Sequence, residues 1–296
     1  MHETSVTADC LAAARAGAAR ALTGFRTDIT AEQKGGESVD SVTAADRAAQ
    51  RVVREHLTTA YPDDPVVGEE GDAPDHLPPS GSAWVVDPID GTVNFVGGRR
   101  VWATSVARAV DGEPVAAATV APALGDAYVA NRTDAWREPA GVDDGTTVES
   151  DGDESTAALD GEAAEETDRE SFAVDDETDP ERFLINPLFG PSEVDRERLA
   201  TVAPALVTGF GDLRRVGCAQ LALAGVASGA LHAVVSTVEL NDWDTAAGVH
   251  LIRCAGGRVT DTHGDRWEPG ATGLVASNDT AHDRVVATLR DAADRL

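Results

Sequence analysis

Ala83-Trp84-Val85-Val86-Asp87-Pro88-Ile89-Asp90-Gly91-Thr92 is the stretch on which the reading of this chain turns. Its first four residues form an unbroken apolar run, the pattern of a strand buried on both faces. A proline, a glycine and two aspartates follow at once, so a turn-rich loop is expected from Asp87 to Thr92. A plain turn needs one Asp and one Gly. Two carboxylates three residues apart on a proline-constrained loop can instead point into one space, and Gly91 lets backbone approach a ligand closely.

Outward from this segment, helical and extended patterns interleave. Helices are expected over residues 5–24, 43–61, 193–208, 218–226, 243–255 and 279–294. Strands are expected at 66–67, 83–86, 105–110, 115–120, 126–130, 183–185, 231–235 and 273–276, with a hairpin over 257–268. Such interleaving argues for layered α/β or α+β packing. The chain divides into an N-terminal α+β part (1–140), an acidic insert (141–182) and a C-terminal α/β part (183–296). Within the insert, residues 143–181 hold 17 acids and a single base, Arg169, and read as a mobile surface excursion with a short strand.

Composition narrows the function. The 296 residues are 42% hydrophobic and only 4% aromatic, so alanine, valine and leucine must build the core. A formal net charge of −28 repels phosphate backbones and argues against nucleic-acid binding. The adjacent pairs Arg99-Arg100 and Arg214-Arg215 form no basic stripe and read as surface or local ion pairs. Lys34 is the only lysine, a bias that resembles proteins of salt-loving archaea. Three scattered cysteines, Cys10, Cys218 and Cys254, fit a reducing cytoplasm and buried thiols. No signal peptide, membrane span or soft-metal motif is read.

Four separated patches place acids at element ends: Asp46, Glu69, the Asp87/Asp90 pair and Asp244. Each has an ordinary reading. Asp46 lies three residues after Thr43, as in a helix-capping pair. Glu69-Glu70 can be a solvated loop, and Asp244 can cap the helix after it. Together they form a set of hard oxygen donors, the type Mg²⁺ requires alongside substrate phosphate oxygens.

The motifs GEE (68–70), DPIDGT (87–92) and WDTAAG (243–248), in that order, resemble the inositol monophosphatase family. The first helix, SVTAAD (41–46) and GCAQLALAGVASG (217–229) fit as well. The resemblance implies a layered αβαβα sandwich and a Mg²⁺-dependent phosphomonoesterase with two or three metals per site. By resemblance, Glu69, Asp87 and the Ile89 carbonyl hold one metal, and Asp87, Asp90 and Asp244 hold a second. Gly91 and Thr92 face the phosphate, Thr92 with Asp46 (and Glu69) activates the attacking water, and Ala219 touches the substrate ring. A homodimer in the cytoplasm is also implied.

Departures from the family pattern bear on the substrate. Val93 replaces a second threonine, Asn241 a histidine, and Thr237 a glutamate that contacts inositol hydroxyls. The expected substrate is a small sugar or inositol phosphate, with inositol-1-phosphate ahead of fructose 1,6-bisphosphate or dual specificity. A 3′-phosphoadenosine nucleotide ranks lower. A catalytically silent acidic interaction protein and a structural calcium site are the readings of another class.

Overall fold

A computed structural model describes residues 3–27, 32–33, 41–42, 44–71, 73–142, 168–190 and 192–293. The Lys34-Gly35-Gly36 loop, Thr43 of the capping pair, and residues 143–167 of the acidic insert lie outside the described residues.

Five layers stack as helix, sheet, helix, sheet, helix. The first sheet has the order β3-β4-β5-β6-β7-β8-β9. Its strands are β3 (Val66–Gly68), β4 (Ser82–Asp90), β5 (Ala103–Val110), β6 (Glu113–Ala121), β7 (Asp126–Ala130), β8 (Ala135–Pro139) and β9 (Glu170–Ser171). Only the β3–β4 pair is parallel. The second sheet has the order β11-β10-β12-β14-β13, built from β10 (Leu184–Pro187), β11 (Asp212–Leu213), β12 (Ala233–Ser236), β13 (Arg258–Thr260) and β14 (Leu274–Ser277). A two-residue pairing of β1 (Glu32–Gln33) with β2 (Ser41–Val42) stands apart.

Side-chain alternation assigns the faces. On β4, Trp84 and Val86 pack with α1 (Glu3–Leu22) and α2 (Ala44–Ala60), through Ala14, Ala18, Val53 and Leu57. Val85, between them, turns to Ala246 and Ala247 of α6 (Asp242–Cys254). On β12, Val234 packs inward with α6 and α5 (Ala219–Ala227). Its neighbours Ala233 and Val235 pack outward against α4 (Glu193–Gly209) and α7 (His282–Ala293). The α5–α6 pair is therefore shared by both sheets, as the expected αβαβα layering requires. Each fully buried Val or Leu contributes about 1.5–3 kcal/mol, whether it comes from a sheet face or from the helix packed on it.

Small residues let these layers approach closely. A Cβ on Gly17 of α1 would lie 2.6 Å from Val53 Cγ2 of α2, and one on Gly248 of α6 would lie 2.4 Å from Leu223 Cβ of α5. This is how a chain poor in aromatics still fills five layers.

The expected strand ending at Val86 is corrected. β4 continues through Asp90, with its register shifted between Asp87 and Asp90. Asp87 pairs with Ser105 and Asp90 with Ala103, so three steps on β4 oppose two on β5. Pro88 lacks an N–H, which suits it to an interrupted ladder. The extra residue has a direct consequence. In a regular strand, residues three apart point to opposite faces; a bulge re-aims one of them. Ile89 packs with Ala21, Ala45 and Ala49 on the α1–α2 side, and Asp90 reaches α5 on the other.

Candidate active site

The β4 bulge, the end of β3 and the N-terminal turns of four helices, α3 (Thr92–Val96), α4, α5 and α6, meet at one cleft. It has a volume of about 430 Å³, and its walls include Glu69, Asp87, Ile89, Asp90, Thr92 and Asp244. Carboxylate oxygens of Asp87, Asp90 and Asp244 all lie within 4.8 Å of one another. These come from positions 87, 90 and 244, and only the fold brings them together.

Each acid is placed by its own local structure. Asp87 occupies the face of β4 that looks toward α6, and is 2% exposed. Its Oδ1 is buried and has no hydrogen-bond partner among the described residues. Burial pushes the Asp87 carboxyl well above the ordinary carboxylate range. The charges of Asp90, Glu69, Asp244 and Asp46 push it in the same direction. Asp90 is also raised by burial, against the pull of its donors. Those donors are the Ala219 N–H at 3.0 Å, the Gln220 N–H at 2.5 Å and the Cys218 thiol at 3.0 Å. Asp90 therefore receives the first N–H groups of α5, where the helix dipole favours an anion. Asp244 lies in the first turn of α6 and accepts from Asn241 Nδ2 at 2.9 Å. It does not cap that helix, because the N-cap is Asn241.

Glu69 follows the last residue of β3, Gly68, which pairs with Val86 next to Asp87. It lines the same cleft without belonging to the tight trio of oxygens. Asp46 is 1% exposed in the first turn of α2. Thr92 Oγ1 lies 3.5 Å from Asp46 Oδ1 and donates to the Ile89 carbonyl at 3.1 Å. A separation of 3.5 Å is at the long limit for a hydrogen bond, and such contacts tighten when substrate arrives. Gly91 is left-handed, with φ 87°, and a Cβ there would lie 3.1 Å from Cys218 Cβ, Gly217 O and Val101 O. Only glycine fits that turn without strain. Ala219 lines the cleft, but its N–H is engaged by Asp90.

Several residues escaped the sequence reading. Gln50, one helical turn after Asp46, grips Glu70 from both sides: its amide nitrogen donates to the Glu70 carbonyl, and its oxygen accepts the Glu70 N–H at 2.9 Å. The i, i+4 relation to Asp46 is the only signal that could have pointed to it. Asn94 Nδ2 faces the carbonyls of Val101, Val216 and Gly217, joining its own helix to two loops under the cleft. Asp242 is buried and accepts the Leu77 N–H at 2.7 Å, pinning the proline-rich loop to α6. Cys218, read as a small hydrophobe, is buried and also donates to a site carboxylate. The Arg214-Arg215 pair divides: Arg214 pairs with Asp212, whereas Arg215 lines the cleft and stacks over Phe189 at 4.1 Å.

The donor set is all oxygen, three acids crowd within 4.8 Å of one another, and one buried carboxylate oxygen has no partner among the described residues. A divalent cation answers all three observations: it neutralises the repulsion and occupies the orphaned lone pair. Fold and cleft together define a protein of the layered αβαβα class with a buried acidic cluster able to hold metal.

The chain belongs to the inositol monophosphatase family, whose sequence profile matches residues 2–294. The inositol-1-monophosphatase SuhB of Mycobacterium tuberculosis is 32% identical over 223 residues, covering 74% of this chain and 68% of its own. The fructose-1,6-bisphosphatase/inositol-1-monophosphatase of Thermotoga maritima is 27% identical over 259 residues, covering 87% and 85%. Among solved structures, a Thermotoga maritima IMPase superposes with a TM-score of 0.74 at 26% identity over 96% of both chains. The chain is thus a phosphoric monoester hydrolase, as its sequence motifs led one to expect.

Proposed function

We propose that this enzyme is a Mg²⁺-dependent phosphatase of small inositol or sugar phosphates, with inositol-1-phosphate favoured. The observation that carries the reading is the carboxylate trio of Asp87, Asp90 and Asp244 within 4.8 Å, together with the unpartnered Oδ1 of Asp87. Glu69, Asp87 and the Ile89 carbonyl would hold one ion, and Asp87, Asp90 and Asp244 another. Mg²⁺ bound there would neutralise charge on the phosphate dianion and lower the pKa of the attacking water.

The chain's own groups do the rest. Thr92 Oγ1, held between Asp46 and the Ile89 carbonyl, is placed to take a proton from the attacking water and pass one to Asp46. Asp46 can then act as the base, and its burial keeps competing water away. Gly91 supplies the left-handed turn that brings the backbone before Thr92 to the cleft, where a Cβ would press on Gly217 and Val101. Arg215 and Phe189, on the cleft wall, are available to the part of the substrate that does not react.

Fructose 1,6-bisphosphate is the second reading, favoured by the likeness to the Thermotoga enzyme whose name carries both activities. A homodimer in the cytoplasm belongs to the same proposal, on the family likeness alone. The test is a panel of inositol-1-phosphate, fructose 1,6-bisphosphate and 3′-phosphoadenosine 5′-phosphate with and without Mg²⁺. Turnover is expected to require Mg²⁺ and to be fastest on the first. Negligible turnover of all three would defeat the proposal.

A further inference from the structure

The acids of the cleft come from separate elements, and something must hold those elements in register before any ion arrives. β4 carries Asp90 and α6 carries Asp244. Repulsion between these carboxylates tends to drive β4 and α6 apart. The residue that opposes this is Gln220, in the first turn of α5 and 0% exposed.

Gln220 makes three contacts, and each reaches the frame of a site acid. Its backbone N–H donates to Asp90 Oδ2. Its side-chain Nε2 donates to the Trp243 carbonyl at 2.6 Å, the peptide immediately before Asp244. Its Oε1 accepts the Gly248 N–H at 2.8 Å, one turn further along α6. Gly248 makes the approach possible, since a Cβ there would lie 3.0 Å from Gln220 Oε1. A buried primary amide with both ends engaged is costly to rearrange, because any shift leaves a desolvated donor or acceptor behind.

We infer that Gln220 is a positioning residue that ties Asp90 to Asp244, so that the two acids are preset at the spacing a divalent ion requires. The inference rests on the proposed metal-dependent reading of the cleft and deepens it. Gln220 touches no substrate and acts only through the two carboxylates. A ligand pair fixed before binding loses less conformational freedom when the ion arrives.

The test uses the full chain stripped of metal and titrated with Mn²⁺, the free ion being read by electron paramagnetic resonance. Gln220→Met keeps the length of the side chain and removes both amide bonds. It is expected to weaken the looser class of Mn²⁺ sites about tenfold and to raise the Mg²⁺ concentration for half-maximal turnover by a similar factor. At saturating Mg²⁺, KM for inositol-1-phosphate should stay within twofold of the parent. Leu223→Ala, a buried packing change on the same helix, should lower the melting temperature yet leave Mn²⁺ affinity within twofold.

Gln220→Glu covers the case in which the methionine variant does not fold. It keeps the acceptor for Gly248 and loses the donor to Trp243. At a pH high enough to ionise it, its added negative charge would by itself tighten cation binding, so weaker Mn²⁺ binding in this variant then reports lost positioning. Unchanged or tighter binding in whichever variants fold, or an equal weakening in Leu223→Ala, overturns the inference. A parent chain that binds no Mn²⁺ and shows no metal-dependent turnover overturns instead the proposed function on which it rests.

Discussion

Asp87→Asn should do opposite things to stability depending on whether metal is present. Oxygens of Asp87, Asp90 and Asp244 lie within 4.8 Å of one another. Two unit charges at that separation repel by about 3.5 kcal/mol at an effective dielectric constant of about 20. Neutralising Asp87 removes two such pairs, for a ceiling of about 7 kcal/mol. The metal-free fold escapes most of this by binding protons, as the raised carboxyls of Asp87 and Asp90 indicate. The net gain expected for Asp87→Asn is therefore about 1–3 kcal/mol, or roughly 2–6 °C in melting temperature for a chain of this size. With Mg²⁺ the order inverts. The parent gains about 4.1 kcal/mol at a thousandfold excess over Kd, and the variant gains little of it.

The assay is thermal unfolding of both proteins in EDTA and in saturating Mg²⁺, with turnover measured alongside. Turnover of the variant should fall about 10³-fold, equivalent to some 4 kcal/mol of transition-state stabilisation. The stability gap in EDTA has a definite sign with pH. A carboxyl whose folded pKa is raised is penalised only where it would otherwise be charged, so the advantage of the asparagine shrinks as pH falls toward the ordinary carboxylate range. High salt should leave the gap largely intact, since screening hardly reaches a buried pair. If Asp87→Asn melts below the parent in EDTA at neutral pH, the carboxylates are not crowded and the reasoning about the cleft fails.

Three further outcomes follow from the same geometry. Thr92→Val keeps the shape and removes the hydroxyl between Asp46 and Ile89, so kcat should fall about 10²-fold with Mn²⁺ affinity unchanged; a rise in KM alone would contradict the proton-relay role. Gly91→Ala forces a side chain into left-handed backbone with neighbours at 3.1 Å, and should cost roughly 1–3 kcal/mol in chemical unfolding together with a loss of turnover. His250 is buried, with a pKa pushed down from 6.5 to about 4, so it takes up a proton on unfolding between those values and its stability contribution drains away as pH falls from 6.5 toward 4. The stability difference between the parent and His250→Gln should accordingly shrink by roughly 2–3 kcal/mol over that window, as read by urea unfolding at matched pH values.

Much of this was legible along the chain. The apolar run Trp84-Val85-Val86 marked a two-faced strand, and that is where β4 lies between α1–α2 and α6. Helix periodicity placed α4, α5, α6 and α7 within a few residues of their bounds. The candidate acids were legible too, because hard-ligand chemistry admits few residue types. Missed were the short strands β1, β2, β8 and β11, whose composition carries no clear alternation, the one-turn helix Thr92–Val96, and the true end of β4.

By itself, then, the sequence determined the layers and the chemical type of the candidate ligands. Both follow from local facts: which side chains repel water, and which offer anionic oxygen. The tertiary structure alone decided that Asp87 and Asp90 share a face, because that depends on one extra residue in a strand pairing set by β5. It alone placed Gln220 between Asp90 and Asp244, and brought Arg215 to the cleft wall. The physical reason is common to all three. A bulge, a buried amide and a cleft-lining guanidinium are defined by partners distant in the chain, and no local pattern encodes who those partners are.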